Sequence, residues 1–331
     1  MTKVSISFAG AAGLTGFPEF PLALAEQLQA EFSQAKIKLI QNPEQRLAEL
    51  ADTDVLYAVR FGTADFTAAK QLKWLHLTSA GATHVLFPEM IESDIIVTNS
   101  RGLYGIPIAE HVLGVMIMFA RRFHEAYPFQ RAGKWARQEM LSLFPLISEL
   151  HSRTVGIIGL GSIGLAVAER CKALGMRVVA NKRRSGNKPS CVDELFGPDD
   201  LAQLLQQSDY VVIAAPLTQE TKGLIGASEL RLMKPTAFII NVGRGAIIQE
   251  TALIHALKED RIGGAGLDVT DPEPPESDSE LFHLPNVILT PHYSGIRSNY
   301  WEHSVALFRP ILSQYLRSEP MDNVVDKRGG Y

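Results

Sequence analysis

The sequence predicts an α/β protein built on parallel sheets, and three observations carry that expectation. Short β-branched runs alternate with helical patterns, the signature of βαβ units. The alternation occurs twice, on either side of a middle segment, in a chain of 331 residues that has room for two domains. Apolar residues make up 46 % and charged residues 21 %, which suits a packed fold and excludes a wholly disordered chain.

In the first block Val4–Phe8, 37–40, 55–59, Trp74–Leu77 and 95–98 read as strands, with helical stretches such as 21–32 and 43–51 between them. Residues 106–123 are apolar on most sides, which calls for a helix buried all round and suited to a place between domains. Residues 127–148 have no regular pattern and hold Trp135. The second block is clearer. Strands are expected at Thr154–Ile158, 177–180, 210–214, 237–241, 264–268 and 287–290, and helices at 162–174, 198–207 and 250–260. Asp199 and Asp200 suit the first turn of the second of these helices. Residues 271–279, rich in Pro and acid, read as a loop, and 301–316 returns to helical spacing that can pack back on the first block.

Composition removes several function classes. A formal charge of −4 argues against nucleic-acid binding. Two cysteines, Cys171 and Cys191, make neither a disulfide framework nor a metal knuckle, and fit a reducing, cytoplasmic setting. Residues 1–10 do not read as a signal peptide, and the apolar run 112–120 is far short of the about 20 residues a membrane span needs. No HExxH and no GxSxG occur, so neither a metal site nor serine hydrolysis is expected.

Gly159-Leu160-Gly161-Ser162-Ile163-Gly164 is a GxGxxG. Among 26 glycines the pattern alone is weak, but here it follows a strand and opens an apolar helix, the setting of a dinucleotide fingerprint. The glycines allow a tight turn and close approach to a pyrophosphate, and the helix N-terminus adds free N–H groups and a favourable dipole. For NAD the next strand should end in an acid that bonds the ribose 2′-OH. Asn181 stands there instead, followed by Lys182, Arg183 and Arg184. Cations attract a 2′-phosphate and a guanidinium meets it in bidentate fashion, so NADP(H) is expected as the preferred cofactor, with NAD(H) a possible one.

Downstream, Asn241-Val242-Gly243-Arg244-Gly245 follows a strand, Gly266-Leu267-Asp268-Val269 comes next with Glu273 in the loop beyond, and Thr290-Pro291-His292 ends the last strand. An arginine, an acid and a histidine thus fall at the carboxyl ends of strands, where open α/β sheets bind ligands. These pieces, with Ser79-Ala80-Gly81, Ala109-Glu110-His111 and Pro216-Leu217-Thr218, run in order through most of the chain. So arranged, the sequence resembles the D-isomer-specific 2-hydroxyacid dehydrogenases, glyoxylate/hydroxypyruvate reductases among them, a likeness far more specific than GxGxxG alone.

The resemblance implies two Rossmann-like domains. A cofactor domain with a doubly wound parallel sheet, 103–293, is inserted into a flavodoxin-like substrate domain formed by 1–102 and 294–331, with the active site in the cleft between them. A homodimer is implied, Trp135 lying in the segment that reaches the partner. By position, Arg244 matches the arginine that holds the substrate carboxylate and carbonyl, Glu273 the acid that orients the histidine, and His292 the general acid/base. The loop of Ser79, Ala80 and Gly81 matches the receiver of the substrate carboxylate, and Asp268 the acid near the nicotinamide. Ala215, Pro216, Thr221, Val242 and Gly243 are the further positions expected to touch the cofactor. The implied reaction is reversible reduction of a 2-oxo acid to the D-2-hydroxy acid, with hydride from nicotinamide C4, a proton from His292, and Arg244 steadying the developing charge. His111, at the start of the long apolar helix, reads as a satisfied interdomain histidine rather than a catalyst. Three other readings stay open: another oxidoreductase of the superfamily such as a phosphite dehydrogenase, a dinucleotide-sensing corepressor-like binding protein, and a catalytically silent homologue. Glutamate at 273, where formate dehydrogenases carry glutamine, argues against formate chemistry, and the basic run argues against a corepressor. The particular 2-oxo acid stays open too.

Overall fold

Strand-forming runs at regular spacing fold into two separate parallel sheets, one in each of two units: residues 1–103 with 297–331, and residues 104–296. The computed structural model describes residues 4–9, 18–42, 44, 46–183 and 187–330.

The sheet of the first unit comprises β1 (Val4–Phe8), β2 (Ala35–Leu39), β3 (Val55–Ala58), β4 (Trp74–Leu77) and β5 (Ile96–Asn99), in the order β2-β1-β3-β4-β5. This is the flavodoxin-like order. Every residue of β3 and β4 is buried, as befits central strands of a parallel sheet covered on both faces. The helix Tyr300–Leu316 belongs to this unit, as its spacing suggests, and lays Trp301, Phe308 and Leu312 against Phe8, Tyr57 and Trp74. Trp74 and Phe308 stack at 5.2 Å. Further on, Val324 bridges antiparallel to Thr98, and the Lys327 ammonium donates to the carbonyls of Met90, Ser93 and Ile95.

A buried polar network ties β4 to β5. Trp74 Nε1 donates to Thr98 Oγ1 at 2.8 Å, and Ser100 Oγ donates to the Leu77 carbonyl at 3.0 Å. His76 sits between them, with Nδ1 2.8 Å from Thr98 Oγ1 and Nε2 3.2 Å from Ser100 Oγ. Thr98 therefore donates to Nδ1 and Nε2–H donates to Ser100, which satisfies every group with a neutral ring. Burial pushes the His76 pKa down to about 3.

The second unit holds β6 (Thr154–Ile158), β7 (Arg177–Asn181), β8 (Glu194–Phe196), β9 (Tyr210–Ile213), β10 (Phe238–Asn241), β11 (Gly264–Leu267) and β12 (Val287–Leu289). Their order is β12-β11-β10-β9-β6-β7-β8, all parallel, a doubly wound sheet whose order reverses between β6 and β9. Ligands of such sheets bind in the crevice at that reversal, outside the carboxyl ends of the strands.

Four local features depart from the sequence expectation. β8 is a strand by virtue of its pairing with β7, in which Val179 faces Glu194. The short helices Thr63–Ala68, Pro88–Glu92 and Ala227–Leu232 are additional elements. The stretch expected to be irregular includes the end of the helix Phe123–Arg131, in which Pro128 blurs the period, and the whole of the helix Arg137–Ser142. The helix Gly105–Ala120 is not buried all round: Val112, Val115, Met116 and Phe119 join the core of the second unit, while Ile106 and Ile117 are exposed. It runs close over β11, where a Cβ on Gly266 would meet Val115 at 2.4 Å.

Candidate active site

The three fingerprint glycines have three separate physical roles. Gly159, at the end of β6, has φ +94°, and a Cβ there would meet the Ala215 backbone nitrogen at 2.6 Å. Only glycine allows the ends of β6 and β9 to come so close at the reversal point. Gly164 lets the helix Ser162–Ala173 pack down, since a Cβ would lie 2.2 Å from the Gly159 carbonyl oxygen. Gly161 is different: a Cβ would meet nothing within 4 Å. It caps the helix without a side-chain bond, so open space stands before the helix N-terminus. Leu160, Ser162 and Ile163 complete the loop. Such a cradle fits the pyrophosphate of a dinucleotide.

At the edge of the crevice, Asn181 ends β7, with its amide donating to the Gly197 carbonyl. Lys182 and Arg183 follow, while Arg184 lies outside the described residues. Glu220, in the loop after β9, has its carboxyl held below the ordinary value by a Thr218 hydrogen bond, with a smaller contribution from the Arg183 guanidinium. In the same loop Thr221 Oγ1 donates to the Pro216 carbonyl at 2.7 Å and accepts from the Thr218 N–H at 2.7 Å, which fixes the turn after Ala215.

Arg244 is set by what surrounds its two glycines. A Cβ on Gly243 would meet the Ala215 carbonyl oxygen at 2.7 Å, and one on Gly245 would meet the Thr270 backbone at 2.0 Å. The chain is thus pressed between two neighbouring loops. Asn241, fully buried at the end of β10, pins the turn from inside: its Oδ1 accepts from the Gly243 N–H at 3.0 Å and its Nδ2 donates to the Arg244 carbonyl at 2.9 Å. The half-buried guanidinium bonds the Gly243 carbonyl at 2.7 Å. Val242 is buried beside it.

His292 and Glu273 meet directly. His292 Nδ1 lies 2.5 Å from Glu273 Oε1, with both side chains partly exposed. Of the two acids in the loop after β11, Asp271 and Glu273, it is Glu273 that contacts the histidine. His292 has φ +49°, a left-handed conformation that costs an L-residue about 1–2 kcal/mol. Asp268, buried just beyond β11, holds the backbone in that shape. Its carbonyl accepts from the His292 N–H at 2.9 Å, its Oδ1 from the Thr290 hydroxyl at 2.7 Å and the Tyr293 N–H at 3.1 Å, and its Oδ2 from the Ser294 N–H at 3.1 Å. The carboxylate expected beside the nicotinamide thus spends both oxygens on the turn that carries the histidine.

Ser79, Ala80 and Gly81 follow β4 in the first unit. Their carbonyls accept from the Ser100 N–H, the Asn99 amide and the Ser79 hydroxyl respectively, so the loop has one defined shape. Asn241 and Thr290 join the site through their hydrogen bonds, although the motifs that contain them give them no role. Their closeness in sequence to glycine-flanked Arg244 and to His292 is the signal that marks them. Among the described residues, no cluster of three His, Cys, Asp or Glu side chains is placed to hold a metal ion, and no helix is long and apolar enough to cross a membrane.

This geometry has known counterparts. Residues 113–294 match the family model of the D-isomer specific 2-hydroxyacid dehydrogenase NAD binding domain. The glyoxylate reductase of Thermococcus gammatolerans is 38 % identical over 290 residues, 85 % of this chain and 85 % of that protein. A solved D-isomer specific 2-hydroxyacid dehydrogenase family protein from Aeromonas salmonicida superposes with a TM-score of 0.84 at 28 % identity, covering 98 % of this chain and 99 % of the other. The D-isomer specific 2-hydroxyacid dehydrogenase of Xanthobacter autotrophicus Py2, solved with NADPH and MES, gives a TM-score of 0.81 at 25 % identity over 99 % of this chain and all of that one. With its glycine cradle, its clamped arginine and its paired glutamate and histidine, the chain belongs to the D-isomer specific 2-hydroxyacid dehydrogenase family.

Proposed function

We propose that this chain reduces a small 2-oxo acid to its D-2-hydroxy acid with NADPH as the preferred cofactor, and runs the reverse reaction when the hydroxy acid is in excess. The observation that carries the reading is the 2.5 Å contact of Glu273 with His292 Nδ1. The bound nicotinamide supplies the hydride. With Nδ1 committed to Glu273, His292 Nε2 is the nitrogen that gives a proton to the carbonyl oxygen as negative charge builds there, and that takes it back in the oxidation direction. Arg244 offers a fork of donors to the carboxylate and the carbonyl oxygen. The Ser79–Ala80–Gly81 loop is assigned to substrate, and the 159–164 loop with Ala215, Pro216, Thr221, Val242 and Gly243 to the cofactor. Asp268 acts on this site by holding His292. The acid–base pair favours turnover over a dinucleotide-sensing role.

NADPH preference is supported by Lys182 and Arg183 at the end of β7 and by the NADPH bound to the Xanthobacter relative. Likeness to a glyoxylate reductase makes glyoxylate the first substrate to try. The unbridged cysteines suit a cytoplasmic setting. A homodimer is proposed from the second unit's surface, where Phe123, Tyr127, Trp135, Leu141, Phe144 and Leu146 are all exposed.

The test is NADPH oxidation against glyoxylate, hydroxypyruvate and bulkier 2-oxo acids, with NADH in parallel and phosphite in the oxidation direction. Turnover with NADPH on a 2-oxo acid, reduced by about 10²–10⁴-fold in His292→Ala at unchanged NADPH affinity, is the expected result. A clear NADH preference would remove the cofactor assignment, and near-normal turnover in His292→Ala would remove the acid.

A further inference from the structure

His111 lies in the helix Gly105–Ala120, far from His292 in sequence, and the reaction outlined above gives it no part. Its Nε2 is 3.3 Å from Thr290 Oγ1. The Thr290 hydroxyl is also 2.7 Å from Asp268 Oδ1, and a carboxylate oxygen accepts, so the threonine proton points to Asp268. Thr290 Oγ1 is then left as an acceptor, and His111 Nε2–H is its donor. The chain runs His111 to Thr290 to Asp268, and Asp268 in turn holds the N–H groups of His292, Tyr293 and Ser294. The His111 ring also meets the Tyr293 ring edge to face at 5.5 Å. One side chain thus grips the catalytic turn at the residues on both sides of His292, and the backbone it steadies is the one held at φ +49°.

We propose that His111 is a positioning residue for the general acid: its Nε2–H, through Thr290 and Asp268, keeps the 290–294 turn in the one shape that presents His292. The proposal rests on His292 being the acid. Chain and ring contact lie on the helix side of the turn, whereas Glu273 holds the imidazole itself, so the two supports act on different parts of the same residue.

The experiment compares His111→Phe, which keeps a ring against Tyr293 but no donor, with His111→Gln, whose amide nitrogen reaches about as far as Nε2. Steady-state 2-oxo acid reduction, NADPH binding and melting temperature are measured for both, with Thr290→Val, the double variant His111→Phe/Thr290→Val, and His292→Ala as a control. The expected result is a fall in kcat of about tenfold for His111→Phe, with KM for the 2-oxo acid and the NADPH Kd little changed, and recovery to within about threefold of the parent for His111→Gln. The double variant should be no worse than the poorer single one, because both cut the same chain. Unchanged kcat in His111→Phe, equal damage in His111→Gln, or additive losses in the double variant would overturn the proposal. Should His111→Phe fail to fold, Thr290→Val against Thr290→Ser carries the same comparison: loss with valine and retention with serine support the chain, and equal rates overturn it. If His292→Ala keeps its turnover, the acid assignment itself falls; if only the His111 and Thr290 variants keep theirs, the fault is confined to this inference.

Discussion

Adding one methyl group at Gly245 should push apart the two halves of the proposed catalytic set. A Cβ there would lie 2.0 Å from the carbonyl carbon and oxygen of Thr270 and 2.7 Å from the Asp271 nitrogen. All are backbone atoms, so no side chain can swing aside. To reach 3.4 Å, the near edge of ordinary contact, one backbone must retreat by about 1.4 Å. One of the two carries Arg244 next door, and the other begins the loop to Glu273. A displacement of about 1 Å in a positioned group costs about 10²-fold in rate. Gly245→Ala should therefore lower kcat for 2-oxo acid reduction about 100-fold, and overpacking should cost about 1–3 kcal/mol of stability. The 159–164 loop is untouched, so NADPH should still bind, and fluorescence titration should show a weakening far smaller than the loss in kcat, set by how much of the shift reaches Val242 and Gly243. Reading kcat, NADPH Kd and melting temperature on one preparation separates misplacement from unfolding. A folded variant with kcat within about threefold of the parent would show that Arg244 and the Glu273 loop need no such register.

Three further outcomes are expected. Glu273→Gln keeps an acceptor for Nδ1–H but removes the charge, and kcat should drop about tenfold; an unchanged rate would deny the glutamate its role. His76 takes up a proton in the unfolded chain near pH 6.5 but in the folded one only near 3, so it costs no stability above pH 6.5 and progressively more below, up to about 5 kcal/mol by pH 3. Urea midpoints measured from pH 7 to pH 4 should fall less steeply in His76→Leu, and parallel slopes would contradict the buried neutral ring. Light scattering after size exclusion should give a dimer mass that Phe144→Asp shifts toward monomer; a monomeric parent would end the dimer proposal.

Much of the site is legible in the sequence because the constraints on it are local. A glycine forced to φ +94°, a second packed on a carbonyl and a third facing open space leave a fixed spacing in one short segment. Arg244 stands out for the same reason, although the backbones that demand its flanking glycines, at Ala215 and Thr270, come from other strands and leave no mark nearby. His111 and Thr290 are 179 residues apart, and no local pattern links them. β8 is invisible for a related reason, since three residues become a strand only when β7 offers them a register. Ile106 and Ile117 show the opposite failure: apolar residues facing outward read like core, because composition does not record which side of a helix is covered.

The way the chain leaves and re-enters the first unit sets a timetable for its synthesis. Residues 104–296 are one continuous stretch, so every strand of the second sheet has been made before Tyr300 is reached. The aromatic layer of Phe8, Tyr57 and Trp74 must wait for Trp301 and Phe308, which arrive nearly 300 residues after the first of them. During that interval the apolar face of the first sheet has no helix to cover it, which makes the first unit the more aggregation-prone part of the growing chain.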